Sequence, residues 1–75
     1  MAPDQSPVGA IGTVIVATRG PDGPGEVLLR MGGGTEAYLA WSEQPLAPGC
    51  EVLAFNSRGE RSVDVMQFVT EPDPE

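Results

Sequence analysis

Five short runs along the chain are rich in β-branched or apolar residues and alternate imperfectly with polar ones: Gly12 to Thr18, Gly25 to Met31, Glu36 to Trp41, Glu51 to Asn56 and Ser62 to Phe68. Turn chemistry separates each run from the next. Arg19 to Pro24 holds Gly-Pro and Asp-Gly dipeptides, and Gly32 to Gly34 is a triple glycine. Ser57-Arg58-Gly59-Glu60 reads as a tight hairpin in which Gly59 takes the positive φ such turns need. The longest connector, Ser42 to Cys50, has room for one short 3₁₀ turn. Glycine or proline interrupts every stretch that might otherwise carry a helical apolar period, so the pattern predicts an all-β chain.

Strands in so short a chain must deal with their edges, and a closed or nearly closed barrel does so. The pattern therefore predicts a small five-stranded barrel of the OB-like or SH3-like kind. The folded domain is expected over residues 8–69. Residues 1–7 are polar with two prolines and read as a disordered lead-in, and 70–75 (TEPDPE) as an acidic tail. Gly9 and Gly12 suit a first strand that bends around a barrel corner.

The alternation leaves a surplus of large apolar residues. Val14 and Val16 share one face of the first run, and Val27, Leu29 and Met31 one face of the second. In the fourth, Val52 and Ala54 oppose Leu53 and Phe55. In the fifth, Val63 and Val65 oppose Met66 and Phe68. A small barrel has one inside, which leaves Leu53, Phe55, Met66 and Phe68, with Trp41, for an outer face. Two readings stay open. The terminal segments or twisted loop ends cover these side chains, or they form a contact surface for another protein or another copy of the chain.

Charge and composition narrow the function. The net charge is −7, from four arginines and eleven acidic residues. That sign opposes nucleic acid, whose phosphates require clustered cations, and opposes anionic lipid headgroups. No apolar run approaches the ~20 residues that span a bilayer, and the N-terminus lacks the basic and apolar regions of a signal peptide. The chain is thus expected to be either a soluble, cytoplasmic stand-alone barrel or a piece cut from a longer protein, without direct membrane insertion of its own. At 75 residues it is expected to be marginally stable, burying about 60% of the surface exposed on unfolding. The lone Cys50 forms no internal disulfide, reads as a small half-buried thiol, and fits a reducing compartment.

Catalysis finds no candidate. Histidine, the commonest proton carrier, is absent. Cys50 has no neighbouring base. GGGTE lacks the lysine and following helix of a phosphate loop. Lysine is also absent, which excludes a lipoyl or biotinyl carrier. Glu36 and Glu43 flank the central run and could bracket a cation, but solvated carboxylates are the expected reading, as a solvated turn is for Arg58 and Arg61. No catalytic residue, cofactor or metal is therefore expected.

The order of the pieces resembles the C-terminal soluble domain of NfeD-like proteins. It starts with Gly9-x-x-Gly12-Thr-Val, followed by Gly23-Pro24-Gly25-Glu26-Val27. Glu36-Ala37-Tyr38-x-Ala40 comes next, then Pro45-Leu46 and Gly49-x-x-Val52. Arg58-Gly59-x-Arg61-x-Val63-x-Val65 closes the series. The resemblance covers nearly the whole folded part and implies a five-stranded OB-like barrel. It maps Gly12, Gly34 and Gly49 as structural positions and Ala40 as a small residue where the barrel walls approach. It implies a protein-interaction module without catalytic residues, whose partner is a stomatin- or flotillin-like membrane scaffold protein, within membrane-protein quality control. It also implies a parent protein anchored by transmembrane helices. This chain shows neither those helices nor the protease domain of longer relatives, so no proteolytic activity of its own is expected. A small barrel that binds an oxyanion is the alternative, opposed by the negative charge.

Overall fold

The structure, a computed structural model, describes residues 6–68. The expected acidic tail and most of the expected lead-in lie outside the described residues. Five strands form: β1 (Ile11–Val16), β2 (Gly25–Met31), β3 (Gly34–Trp41), β4 (Glu51–Gly59) and β5 (Ser62–Gln67). They close into a barrel in the order β1-β2-β3-β5-β4, with β4 returning to β1. All pairings are antiparallel except β3 with β5, which run parallel from Leu39↔Ser62 to Trp41↔Asp64. The all-β, five-stranded OB-like expectation thus holds.

The inside is filled by the alternate residues of every strand. Val14, Val27, Leu29, Ala40, Val52, Ala54, Val63 and Val65 are buried, and Leu46 from the long connector completes the cluster. Ala40 sits opposite Gly25 on one side and Val63 on the other, fully buried, so a larger side chain has no room there.

Three bulges rephase the strands. Val14 pairs with Val27 but Val16 pairs with Glu26, which leaves Ile15 as an extra residue. The extra residue throws Val16 outward, to 49% exposure. The expectation that Val14 and Val16 share a face fails for this reason. In β4 the pairs run Ala54↔Val65, Asn56↔Asp64, Ser57↔Val63 and Gly59↔Ser62, so Phe55 and Arg58 are each an extra residue. Sequence alternation carries no mark of such an insertion.

The turns also depart from expectation. The β2–β3 hairpin turns on Gly32 and Gly33, between the paired Met31 and Gly34, with positive φ at Gly32 (57°). Gly34 opens β3 instead of turning the chain. The β4–β5 hairpin turns on Glu60 and Arg61, at φ 54° and 59°, one step beyond the expected turn, while Gly59 (φ 82°) ends β4. Two positive φ values across a two-residue loop match a type I′ turn, whose twist suits adjoining strands. Gly9 and Gly49 take positive φ at loop ends. Gly12 is required for another reason: a Cβ there would overlap the Leu28 carbonyl. The 3₁₀ turn forms at Gly20–Asp22, not within Ser42 to Cys50. Pro21 fixes the φ that such a turn needs at its start, whereas the long connector is held by Thr18.

Candidate functional site

A groove of about 760 Å³ runs across the outer face where β3, β4 and β5 meet two loops. Its strand wall is made by Trp41, Phe55, Arg58, Asp64 and Met66. Its loop wall is made by Gly20, Pro21 and the stretch from Ser42 to Gln44, with Leu46 and Val65 also lining it.

The bulges build the strand wall. Because Phe55 is inserted between Ala54, which faces the core, and Asn56, which faces out, Phe55 and Asn56 both stand on the outer side. Asn56 Nδ2 donates to Asp64 Oδ2 at 2.8 Å. Arg58, the second inserted residue, lays its guanidinium over the Trp41 ring, 4.6 Å from the centroid. It also donates to Asp64 Oδ1 from Nε at 3.1 Å and from Nη2 at 2.9 Å. Register places Trp41 beside Asp64 across the parallel pair, so Trp41, Arg58 and Asp64 form one unit. The Arg58 guanidinium, and after it the Asn56 amide, hold the Asp64 carboxyl below the usual carboxylate range. Arg61 makes a parallel set of contacts. It lies 4.9 Å over Tyr38, bonds Glu36 Oε1 at 2.8 Å and donates to the Ala37 carbonyl at 3.1 Å. Both hairpin arginines stay exposed, as the expected solvated turn implies, and in addition reach back to β3. Exposed ion pairs and cation–π contacts contribute only about 0–1 kcal/mol each, so their effect is chiefly to fix the position of the hairpin.

The loop wall hangs on Thr18. It is 2% exposed and is the buried polar side chain among the described residues. The Leu46 N–H donates to Thr18 Oγ1 at 2.7 Å, Thr18 Oγ1 meets Ser42 Oγ at 2.7 Å, and Ser42 Oγ donates to the Gln44 carbonyl at 2.6 Å. Each hydroxyl has one proton. With Ser42 donating to Gln44, Thr18 donates to Ser42, and the bonds run in one direction from Leu46 to Gln44. Such a chain polarises its members cooperatively. Thr18 N also donates to the Leu46 carbonyl at 3.0 Å.

Of the expected outer-face residues, Trp41, Phe55 and Met66 come together in the groove. Phe55 and Met66 are 52% and 50% exposed, and Trp41 is half-buried. Leu53 is half-buried, opposite Met66 across β4–β5, and does not line the groove. Phe68 lies past the end of β5, with its N–H bonded to the Glu51 carbonyl, and does not line it either. Sequence reasoning missed Thr18, Arg58 and Asp64 as parts of one site. Thr18 looks like any strand end, and its partners lie 24 and 28 residues away. A second apolar patch was also missed: Val16 and Leu39 flank Glu26 across β1, β2 and β3, both exposed.

The chemistry of the groove suits contact more than reaction. Arg58 is already engaged by Asp64, so the groove presents no unpaired cation for an oxyanion among the described residues. Glu36 is bonded to Arg61 and does not bracket a cation with Glu43. Among the described residues no three metal-ligating side chains converge, and no helix is long and apolar enough to cross a membrane. Cys50 is half-buried beside the core.

Comparison with known proteins places the chain beside a family model and a solved structure. Residues 11–66 match the family model for the NfeD C-terminal domain. The solution structure of the soluble domain of the NfeD protein YuaF from Bacillus subtilis superposes with a TM-score of 0.66 at 33% identity, over 79% of this chain and 70% of that one. Among curated proteins none matches.

Proposed function

This chain belongs to the NfeD C-terminal domain family, and on that premise we propose that it is a non-catalytic docking module whose groove receives a segment of another protein. The observation that carries this reading is the groove itself: an apolar-lined hollow of about 760 Å³ with Trp41, Phe55 and Met66 on one wall. Its walls are held by the Arg58–Asp64 unit and the Thr18 chain. Hollows of roughly 300–1,000 Å³ are typical of binding sites, and aromatic residues with methionine are favoured at interface centres. A large exposed Phe on a bulge is unexplained by folding alone, since burying it would be worth about 1.5–3 kcal/mol.

The partner in this proposal is a stomatin- or flotillin-like membrane scaffold, and the parent protein is membrane-anchored, in keeping with the family. The process served is membrane-protein quality control. The test is binding of the purified scaffold to the barrel and to its Phe55→Ser variant. Binding that is lost in the variant, with an unchanged amide NMR spectrum away from the groove, supports the proposal. Equal binding by both removes the groove from it, and no binding removes the scaffold.

A further inference from the structure

Resting on the docking reading, we infer that the groove selects a basic-apolar segment: an extended peptide carrying a large apolar anchor beside a lysine or arginine. Charge complementarity leads there. The strand wall contributes Arg58 and Asp64, which neutralise each other through a two-pronged contact. The loop wall contributes Glu43, which has no ion pair among the described residues. Elsewhere Arg61 is paired to Glu36 and Arg30 to Glu51, while Arg19, which packs over Gly23 without an ion pair among the described residues, does not line the groove. The chain as a whole carries −7. An incoming cation therefore meets a free carboxylate on one wall. An incoming carboxylate meets Glu43 and finds Arg58 already taken.

The shape adds the apolar half. Phe55 and Met66 present exposed apolar surface, with Trp41 beside them and Pro21 opposite. One face of the Trp41 ring is occupied by Arg58, so an anchor side chain lies against Phe55 and Met66, with the cation reaching across to the Ser42–Gln44 loop. Such an arrangement takes an apolar side chain and a neighbouring cationic one from the same short segment.

Trp41 is the single tryptophan of the chain, so its fluorescence reports on the groove without a label. The probes are two capped, tryptophan-free pentapeptides alternating lysine with leucine and phenylalanine, and the same peptides with glutamate in place of lysine. The lysine peptides are expected to bind about two- to fivefold more tightly than their glutamate twins in low salt, the range for one partly exposed ion pair. The preference is expected to shrink in Glu43→Gln and in high salt. Glu43 is an exposed loop residue, so this variant is expected to fold as the parent does. Equal or stronger binding of the glutamate peptides overturns the basic preference and leaves docking intact. Absence of binding by either peptide at millimolar concentration overturns the inference, while the docking reading still stands or falls with Phe55→Ser and the scaffold. A preference unchanged in Glu43→Gln overturns the role given to that carboxylate.

Discussion

Thr18 shows how much one hydroxyl can organise. Its Oγ1 is the acceptor for a buried Leu46 N–H and the donor to Ser42, so it ties the loop after β1 to the long connector. Thr18→Val keeps the shape and removes both bonds. Leaving the Leu46 N–H unsatisfied is expected to cost about 1–3 kcal/mol, read as a fall in Tm of about 4–8 °C per kcal/mol for a domain this small. Asp64 is the other pivotal side chain. Its folded-state pKa is lowered, first by the Arg58 hydrogen bonds and then by Asn56. The stabilisation is therefore fully present above the ordinary carboxylate pKa of about 3.9 and is lost as pH falls through the lower, folded value. Carboxyl NMR titration should find Asp64 protonating below its unfolded-chain value, and Arg58→Gln should bring the midpoint back up toward it. A midpoint at the ordinary value in both proteins would contradict the contact.

At the scale of elements, the bulges decide which residues face the groove, and they also mark where the sequence ceased to be legible. The five strands follow from β-branched and apolar runs bounded by turn residues, and Val27, Leu29, Val52, Ala54, Val63 and Val65 all fall on the expected inner face. The position of Val16 does not follow, because the extra Ile15 changes the phase by one residue and no side chain announces it. Phe55 and Arg58 are the same case in β4. Trp41, Phe55 and Met66 were legible as surplus apolar residues, but their meeting in one groove depends on strand register. The arginine contacts with β3 depend on a parallel pairing between strands distant in sequence. The hairpin offers a direct check. Glu60 has φ 54° without being glycine, and asparagine tolerates that region better. Glu60→Asn is expected to stabilise the domain, seen as a higher midpoint in thermal melts, with no change in groove binding.

The whole molecule is a thin-walled barrel whose inside is mostly valine. Its core has one large aliphatic side chain from a strand, Leu29, that is completely buried. Leu29→Ala is expected to cost about 2–5 kcal/mol, a large part of what so small a domain has, and to lower the urea midpoint sharply. Gly12→Ala belongs with it, since a methyl group there would displace the Leu28 carbonyl and the β1–β2 ladder. The inside is full, and among the described residues the outer apolar side chains include those of the groove at Trp41, Phe55 and Met66 and of the patch of Val16 and Leu39. The groove alone has walls fixed by ion pairing and a buried hydroxyl chain. Amide and indole NMR shifts of the isotope-labelled barrel, followed as purified stomatin- or flotillin-like scaffold is added, test the docking account most directly. Docking in the groove is expected to move the Trp41 indole and the amides of Phe55, Arg58 and Met66 first and farthest. Shifts centred on Val16 and Leu39, with the Trp41 indole unmoved, would contradict it.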